Sequence, residues 1–151
     1  MENNKKKTKI IPPVVKRGEV WVADLGNRLG REEEGIRPVI VLTNMAANLY
    51  SDVLIVAPLT TKGNRGGYSK LPTHVEITLD DKQQQSIILL EQITCIDKKR
   101  LIDKVLRVDA ELLSKVSIAA LISLGFFEEP RESYSKEDRE YINNSAINAF
   151  L

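Results

Sequence analysis

Residues 53–61, VLIVAPLTT, hold the longest nearly unbroken apolar run of the chain, seven residues from Val53 to Leu59. A membrane-spanning helix needs about 20 such residues. The run is short, rich in β-branched types and bounded by polar segments, so it reads as a strand buried on both faces. Before it, NMAANLYSD (44–52) is a short turn or helix, and RPVIVLT (37–43) is a second strand, with Pro38 at its start holding Arg37 extended. Further back, GEVWVADL (18–25) alternates and predicts a strand over 19–25, separated from the next by the polar, three-glycine loop GNRLGREEEGI (26–36). After the central run come the glycine-rich loop KGNRGGYSKLP (62–72), a strand THVEITL (73–79) and a turn DDKQQQ. Residues 86–97, SIILLEQITCID, are apolar on both parities and predict one long core strand, in which Glu91 and Gln92 would face opposite ways. Asp109 then has the character of a helix N-cap and Gly125 that of the residue ending the helix. Between them Leu112, Leu113, Val116, Ala119, Ala120 and Leu124 recur at helical spacing. Five short strands followed by one helix, without strand–helix alternation, predict a β-rich α+β fold, a small curled antiparallel sheet or barrel with a C-terminal helix.

The whole chain has 151 residues, 42% hydrophobic and 28% charged, a balance that excludes wholesale disorder and fits one domain with tails. Its net charge of +1 conceals a basic start (Lys5, Lys6, Lys7, Lys9, Lys16, Arg17) and an acidic end (Glu128, Glu129, Glu132, Glu137, Asp138, Glu140). We therefore divide it into a basic arm over 1–15, expected to be solvated and disordered, a body over 16–125, and a charged tail over 126–151. Within the tail, 135–149 has helical character, with Ser135 as cap and Tyr141, Ile142 and Ile147 on one side. The body is no strongly basic nucleic-acid binder, although local positive patches remain available. The apolar patch of the arm, IIPPVV (10–15), is too short and too proline-rich for a signal-peptide core, which leaves the cytoplasm as the expected compartment. Cys95 is the only cysteine and His74 the only histidine, which excludes an intrachain disulfide, a cysteine-pair zinc site and two-histidine acid–base chemistry within one chain.

Three features are more polar than packing requires: Glu32-Glu33-Glu34-Gly35-Ile36-Arg37-Pro38, Thr60-Thr61 at the end of the apolar strand, and Glu91-Gln92 inside the longest one. Each also has an ordinary structural reading as a solvated loop, a strand end, or a buried pair satisfied by neighbouring backbone. Composition and spacing alone stop at a small β-rich domain with a polar site.

The order of local motifs goes further. KRGEVWVADLG (16–26), GREEEGIRPVIVLTN (30–44), VAPLTT (56–61), LPTHVEI (71–77) and SIILLEQITCIDKKRL (86–101) together resemble the MazF/PemK family of toxin endoribonucleases over about residues 16–125. The resemblance implies an SH3-like barrel, a homodimer, metal-independent and cofactor-free cleavage of single-stranded RNA at short sequences, and a cognate antitoxin protein that holds the toxin inactive. It places Arg37 of I-R-P-V at the family's catalytic arginine and Thr60 of A-P-L-T at its catalytic threonine. Glu32, five residues before the arginine, falls at the loop glutamate suggested as proton acceptor. Asn44, His74 and Gln92 match positions resembling the substrate-contacting set. The loop departs from the family, where Gly-Ser-Glu-Gln followed by small residues is frequent; here Arg31, Glu33 and Glu34 change its charge and bulk. Because the 26–36 loop lacks an aromatic residue, stacking on an RNA base would fall to Leu29 or Arg31.

The chemistry agrees. Self-cleavage of RNA through its 2′-hydroxyl needs a proton acceptor, a proton donor and stabilisation of the phosphorane. Arg37 offers a planar fork of donors for phosphate oxygens, Glu32 a proton acceptor and Thr60 a further hydroxyl donor. No carboxylate cluster with metal spacing accompanies them, which disfavours a two-metal nuclease. The competing reading is a non-catalytic barrel of the same fold that binds a protein target such as DNA gyrase.

Overall fold

The apolar run forms β3 (Val53–Thr61), and nearly everything else is arranged along its two edges. The computed structural model describes residues 14–62, 71–79, 84–128 and 131–144. Among these, β1 (Glu19–Asp24), β2 (Ile36–Val41), β4 (His74–Leu79), β5 (Gln84–Leu89), β6 (Thr94–Asp97) and β7 (Leu101–Arg107) complete an antiparallel sheet ordered β4-β5-β3-β2-β1-β7, with β6 also on β3. On one edge β3 pairs with β2 (Val39 opposite Pro58, Val41 opposite Val56). On the other it pairs first with β6 and then with β5. This is the curled antiparallel sheet expected from the sequence. Burial on both faces holds from Val56 to Leu59, whereas Val53 and Ile55 at the start of β3 are exposed.

The single long strand expected over 86–97 is instead β5, a 3-10 turn (Leu90–Gln92) and β6. Leu59 lies opposite Ile88 and Val56 opposite Thr94, so three steps along β3 answer to six along its partner. The surplus is taken up by the turn, a large bulge in an otherwise continuous edge. Glu91 and Gln92 therefore do not face opposite ways as neighbours in a strand would; both leave the ladder on the same side and line one cleft.

The sheet carries two cores. On one face Val20, Ile40, Leu59, Ile88 and Leu90 pack against Val116 and Ala119 of helix α2 (Ala110–Ser123). Asp109 caps that helix, its carboxylate accepting from the Leu112 amide at 2.8 Å. Gly125, at φ 82°, ends it with the Phe126 amide bonded back to the Leu121 carbonyl at 3.0 Å. On the other face Trp21, Val39, Val41, Leu54, Ile96 and Leu101 close the barrel interior. Val15 joins them and is 0% exposed. The body thus begins at least one residue earlier than the expected arm boundary, because an apolar side chain ahead of β1 plugs the barrel. The segment 44–52 is helix α1 (Met45–Tyr50). In the tail, Ser135 caps α3 (Lys136–Asn143), the Asp138 amide donating to its hydroxyl at 3.0 Å. Ile142 of that helix is buried but Tyr141 is exposed, and Ile147 lies outside the described residues. No helix among the described residues is long and apolar enough to cross a membrane.

The reading from sequence missed β7. Only Leu101 of this edge strand is buried, and Asp103, Lys104 and Arg107 give it the charged character that protects sheet edges. It is held to β1 by its ladder and by a polar cluster: Glu19, buried, accepts from the Trp21 indole N–H at 2.9 Å and from the Lys104 ammonium at 3.1 Å. Burial alone would raise the Glu19 carboxyl, but the hydrogen bonds from Trp21, the Lys16 backbone and Lys104 outweigh it and hold the group below the usual carboxylate range.

Two measurements test these anchors. Val15→Ala should cost about 2 kcal/mol in urea unfolding, from lost transfer energy and a residual cavity; a neutral change would return Val15 to the arm. Because the folded-state pKa of Glu19 is depressed, its contribution is present above the unfolded pKa and lost as pH falls through the folded value. The stability gap between wild type and Glu19→Gln should therefore be largest near pH 7 and narrow on acidification to about pH 3. A gap independent of pH would show that the charge contributes nothing.

Candidate active site

The loop between β1 and β2 is folded rather than loose. Its neck is closed by the Leu25 amide on the Gly35 carbonyl and the Gly35 amide on the Gly26 carbonyl, both at 2.9 Å. Gly26 and Gly35 sit at φ 69° and 73°, left-handed values that admit this close crossing without a Cβ penalty. Inside the loop the Arg28 amide donates to a Glu34 carboxylate oxygen at 2.9 Å, and the Arg28 guanidinium reaches the Leu25 carbonyl and the Thr94 hydroxyl. Gln92, on the bulge, braces the loop from below. Its Oε1 accepts from the Glu33 amide at 2.8 Å and its Nε2 donates to the Arg31 carbonyl at 3.2 Å.

Loop and bulge are the walls of an open cleft of about 510 Å³ with Pro58 of β3 in its lining. Arg28, Arg31, Glu32 and Glu33 come from one wall, and Glu91, Gln92 and Thr94 from the other. Leu29 also lines it and is 82% exposed, an apolar surface with no protein cover.

Of the three consecutive glutamates, Glu32 and Glu34 are exposed, whereas Glu33 is turned inward and only 4% exposed. Its carboxylate is ion-paired with Arg37 Nη1. Arg37 Nε donates to the Glu34 carbonyl at 2.8 Å. The guanidinium, one-quarter exposed, is thus held on two of its nitrogens. Thr60 is half-buried and pairs with Ile87. Arg37 and Thr60 each lie two residues beyond the last β2–β3 pair, Val39 with Pro58, where the two strands have parted, and neither is among the residues lining the cleft.

The remaining sequence-derived candidates are dispersed. His74, at the start of β4 and nearly buried, lies behind the cleft with Nε2 2.7 Å from Glu91 Oε1. Asn44 stands at the far end of β2 from Arg37, where its side-chain Oδ1 caps α1 by accepting from the Ala47 amide at 2.9 Å. The amide of Gln92 is engaged by loop backbone. Sequence reasoning gave no site role to Glu33, Glu91 or Arg28. Nothing in a run of three glutamates marks which one turns inward, whereas Glu91 had at least the signal of a carboxylate within an apolar stretch.

Comparison with known proteins gives the chain's family. Residues 16–124 match the sequence model of the PemK-like, MazF-like toxins of type II toxin–antitoxin systems. The chain is 45% identical over 119 residues to endoribonuclease EndoA of Bacillus subtilis (strain 168), covering 76% of this chain and 98% of that protein. Its fold is similar to MazF from Deinococcus radiodurans (TM-score 0.61, 22% identity, 74% of this chain and 97% of that one). It is also similar to a mycobacterial endoribonuclease solved with its cognate antitoxin (TM-score 0.61, 24% identity, 77% and 99%). A family match over most of the chain and a relative at this identity settle its kinship: the chain belongs to the PemK-like, MazF-like family of type II toxin–antitoxin toxins.

Proposed function

We propose that this toxin, an endoribonuclease, cleaves single-stranded RNA at short preferred sequences through the RNA's own 2′-hydroxyl, without a metal ion. It does so as a homodimer in the cytoplasm, and a cognate antitoxin protein restrains it. The observation that carries this reading is the fixed guanidinium of Arg37, held on Nε and Nη1 by the loop that walls the cleft.

Glu32, on the cleft wall, takes the proton from the 2′-hydroxyl. The 2′-oxygen attacks phosphorus, and the bond from phosphorus to the 5′-oxygen breaks as that oxygen takes a proton from solvent. The products are a 2′,3′-cyclic phosphate and a 5′-hydroxyl. Arg37 and Thr60 donate hydrogen bonds to the phosphorane oxygens, where charge accumulates. Arg37 cannot be the proton acceptor, because its guanidinium stays protonated. Arg31 and the exposed Leu29 offer a stacking surface for an unpaired base; Gln92, Asn44 and His74 are the hydrogen-bonding contacts proposed from the resemblance. Of these, Gln92 is within the cleft. Among the described residues no group of three or more His, Cys, Asp or Glu side chains is placed to hold a metal ion.

The test is incubation of the purified protein with a long single-stranded RNA in EDTA, with cleavage sites mapped and product ends identified. Cyclic phosphate and 5′-hydroxyl ends at recurring short sequences are expected; a requirement for added metal would overturn the mechanism. In single-turnover cleavage, Arg37→Lys should be slower by about 100- to 1000-fold, equivalent to roughly 3–4 kcal/mol, because lysine keeps the charge but loses the planar fork. RNA binding should fall far less, since the contact strengthens mainly in the transition state. Thr60→Val, which removes only the hydroxyl and keeps the shape, should slow cleavage strongly while the melting temperature stays within a few degrees; an unchanged rate would reduce Thr60 to a strand end.

A further inference from the structure

We propose that Glu33 is the positioning residue of the cleavage site: its buried carboxylate aims the Arg37 guanidinium at the scissile phosphate. This rests on the reading of Arg37 as the phosphorane donor. Three observations carry it. Glu33 is the one glutamate of the 32–34 run that is turned inward, 4% exposed against exposed neighbours. Its carboxylate binds Arg37 Nη1, while Nε is taken by the Glu34 carbonyl at 2.8 Å, so two sides of the planar group are fixed by consecutive residues. Glu33 is itself fixed, since its amide is bonded to Gln92 Oε1 at 2.8 Å and Gln92 also holds the Arg31 carbonyl at 3.2 Å. The chain of contacts runs from the bulge through Gln92 to Glu33 and then to Arg37.

An arginine side chain left free in a wide cleft samples many rotamers, and a hydrogen-bond donor misplaced by about 1 Å forfeits on the order of 100-fold in rate. The Glu33 contact removes that freedom before RNA arrives. It carries an electrostatic cost, because a carboxylate beside the guanidinium also repels the incoming phosphate. Orientation and charge therefore act in opposite directions, and that opposition separates a positioning role from a structural one.

Two variants distinguish them. Glu33→Gln keeps an oxygen that accepts from Arg37, in a neutral and weaker bond. Glu33→Leu fills similar volume and accepts nothing. Binding is measured with a non-cleavable 2′-O-methyl copy of an RNA that wild type cuts, and rates by single-turnover cleavage of the cuttable RNA. Both variants lose the same negative charge, so both should bind the 2′-O-methyl RNA more tightly, on the order of 5-fold for one charge at contact distance in water. Their cleavage rates should be graded, with Gln intermediate and Leu about 10- to 100-fold below wild type. Rates equal to wild type in both variants would overturn the proposal. So would weaker binding accompanied by a lowered melting temperature, which marks a structural role, and so would equally severe loss of cleavage in both variants, which would make Glu33 the proton acceptor, since Gln can accept a proton no better than Leu. Arg37→Lys run in parallel separates the two levels: if it cleaves at the wild-type rate, the reading of Arg37 fails, whereas if it is crippled and the Glu33 variants are not, only the positioning role fails.

Discussion

The structure depends on one strand serving three partners. β3 is nine residues long, pairs with β2 along one edge, and along the other hands over from β6 to β5. Pro58 stands at the end of the β2 ladder, the last residue of β3 to face it. A proline has no amide to contribute further, so the place where β3 leaves β2 coincides with a residue that loses little by leaving. Beyond it, β2 continues with β1 alone, and the end of β2 that carries Arg37 is freed from the central strand.

On the opposite edge the handover requires slack, and the 3-10 turn Leu90–Gln92 provides it. A bulge in a buried edge is costly unless its polar groups find partners. Leu90 stays in the core, with its amide bonded to the Thr73 carbonyl at 3.0 Å. Glu91 meets His74, and Gln92 meets the loop backbone. The departure from regular pairing is thus the feature that builds the second wall of the cleft. A regular strand over 86–97 would have sent one of the two polar side chains to the far face and left the loop unbraced.

This explains which parts were legible in the sequence. VLIVAPLTT reads as a strand and Asp109–Gly125 as a capped helix because their signals are local: apolar runs, cap chemistry, and a glycine at φ 82°. β7 escaped notice because an edge strand is stabilised by its ladder and by the Glu19–Trp21–Lys104 cluster, so LIDKVLR has no need of an apolar stripe. The bulge escaped because Ile and Leu on both parities are equally suited to an unbroken strand and to two strands joined by a turn. Arg37 and Thr60 are proposed from the resemblance; that each lies just past the last β2–β3 pair follows from a register between strands that no single segment encodes. Asn44, whose motif position suggests substrate contact, has its side-chain oxygen engaged as a helix cap.

The loop's charge follows the same logic. Taken as a string, Arg31-Glu32-Glu33-Glu34 concentrates negative charge in the loop that walls the cleft. In the structure much of it is already engaged. Glu33 is paired with Arg37, and Glu34 gives a carboxylate oxygen to the Arg28 amide and its carbonyl to Arg37. What faces the cleft opening is Leu29, Arg31 and Glu32: an apolar platform, a cation and one carboxylate. Of the departures from the family's small-residue loop, Glu33 and Glu34 therefore act inward, on the rigidity of the guanidinium, while Arg31 is left at the opening. On the proposed mechanism, the side chains left at the opening are those that would meet an unstacked base, a phosphate and a 2′-proton.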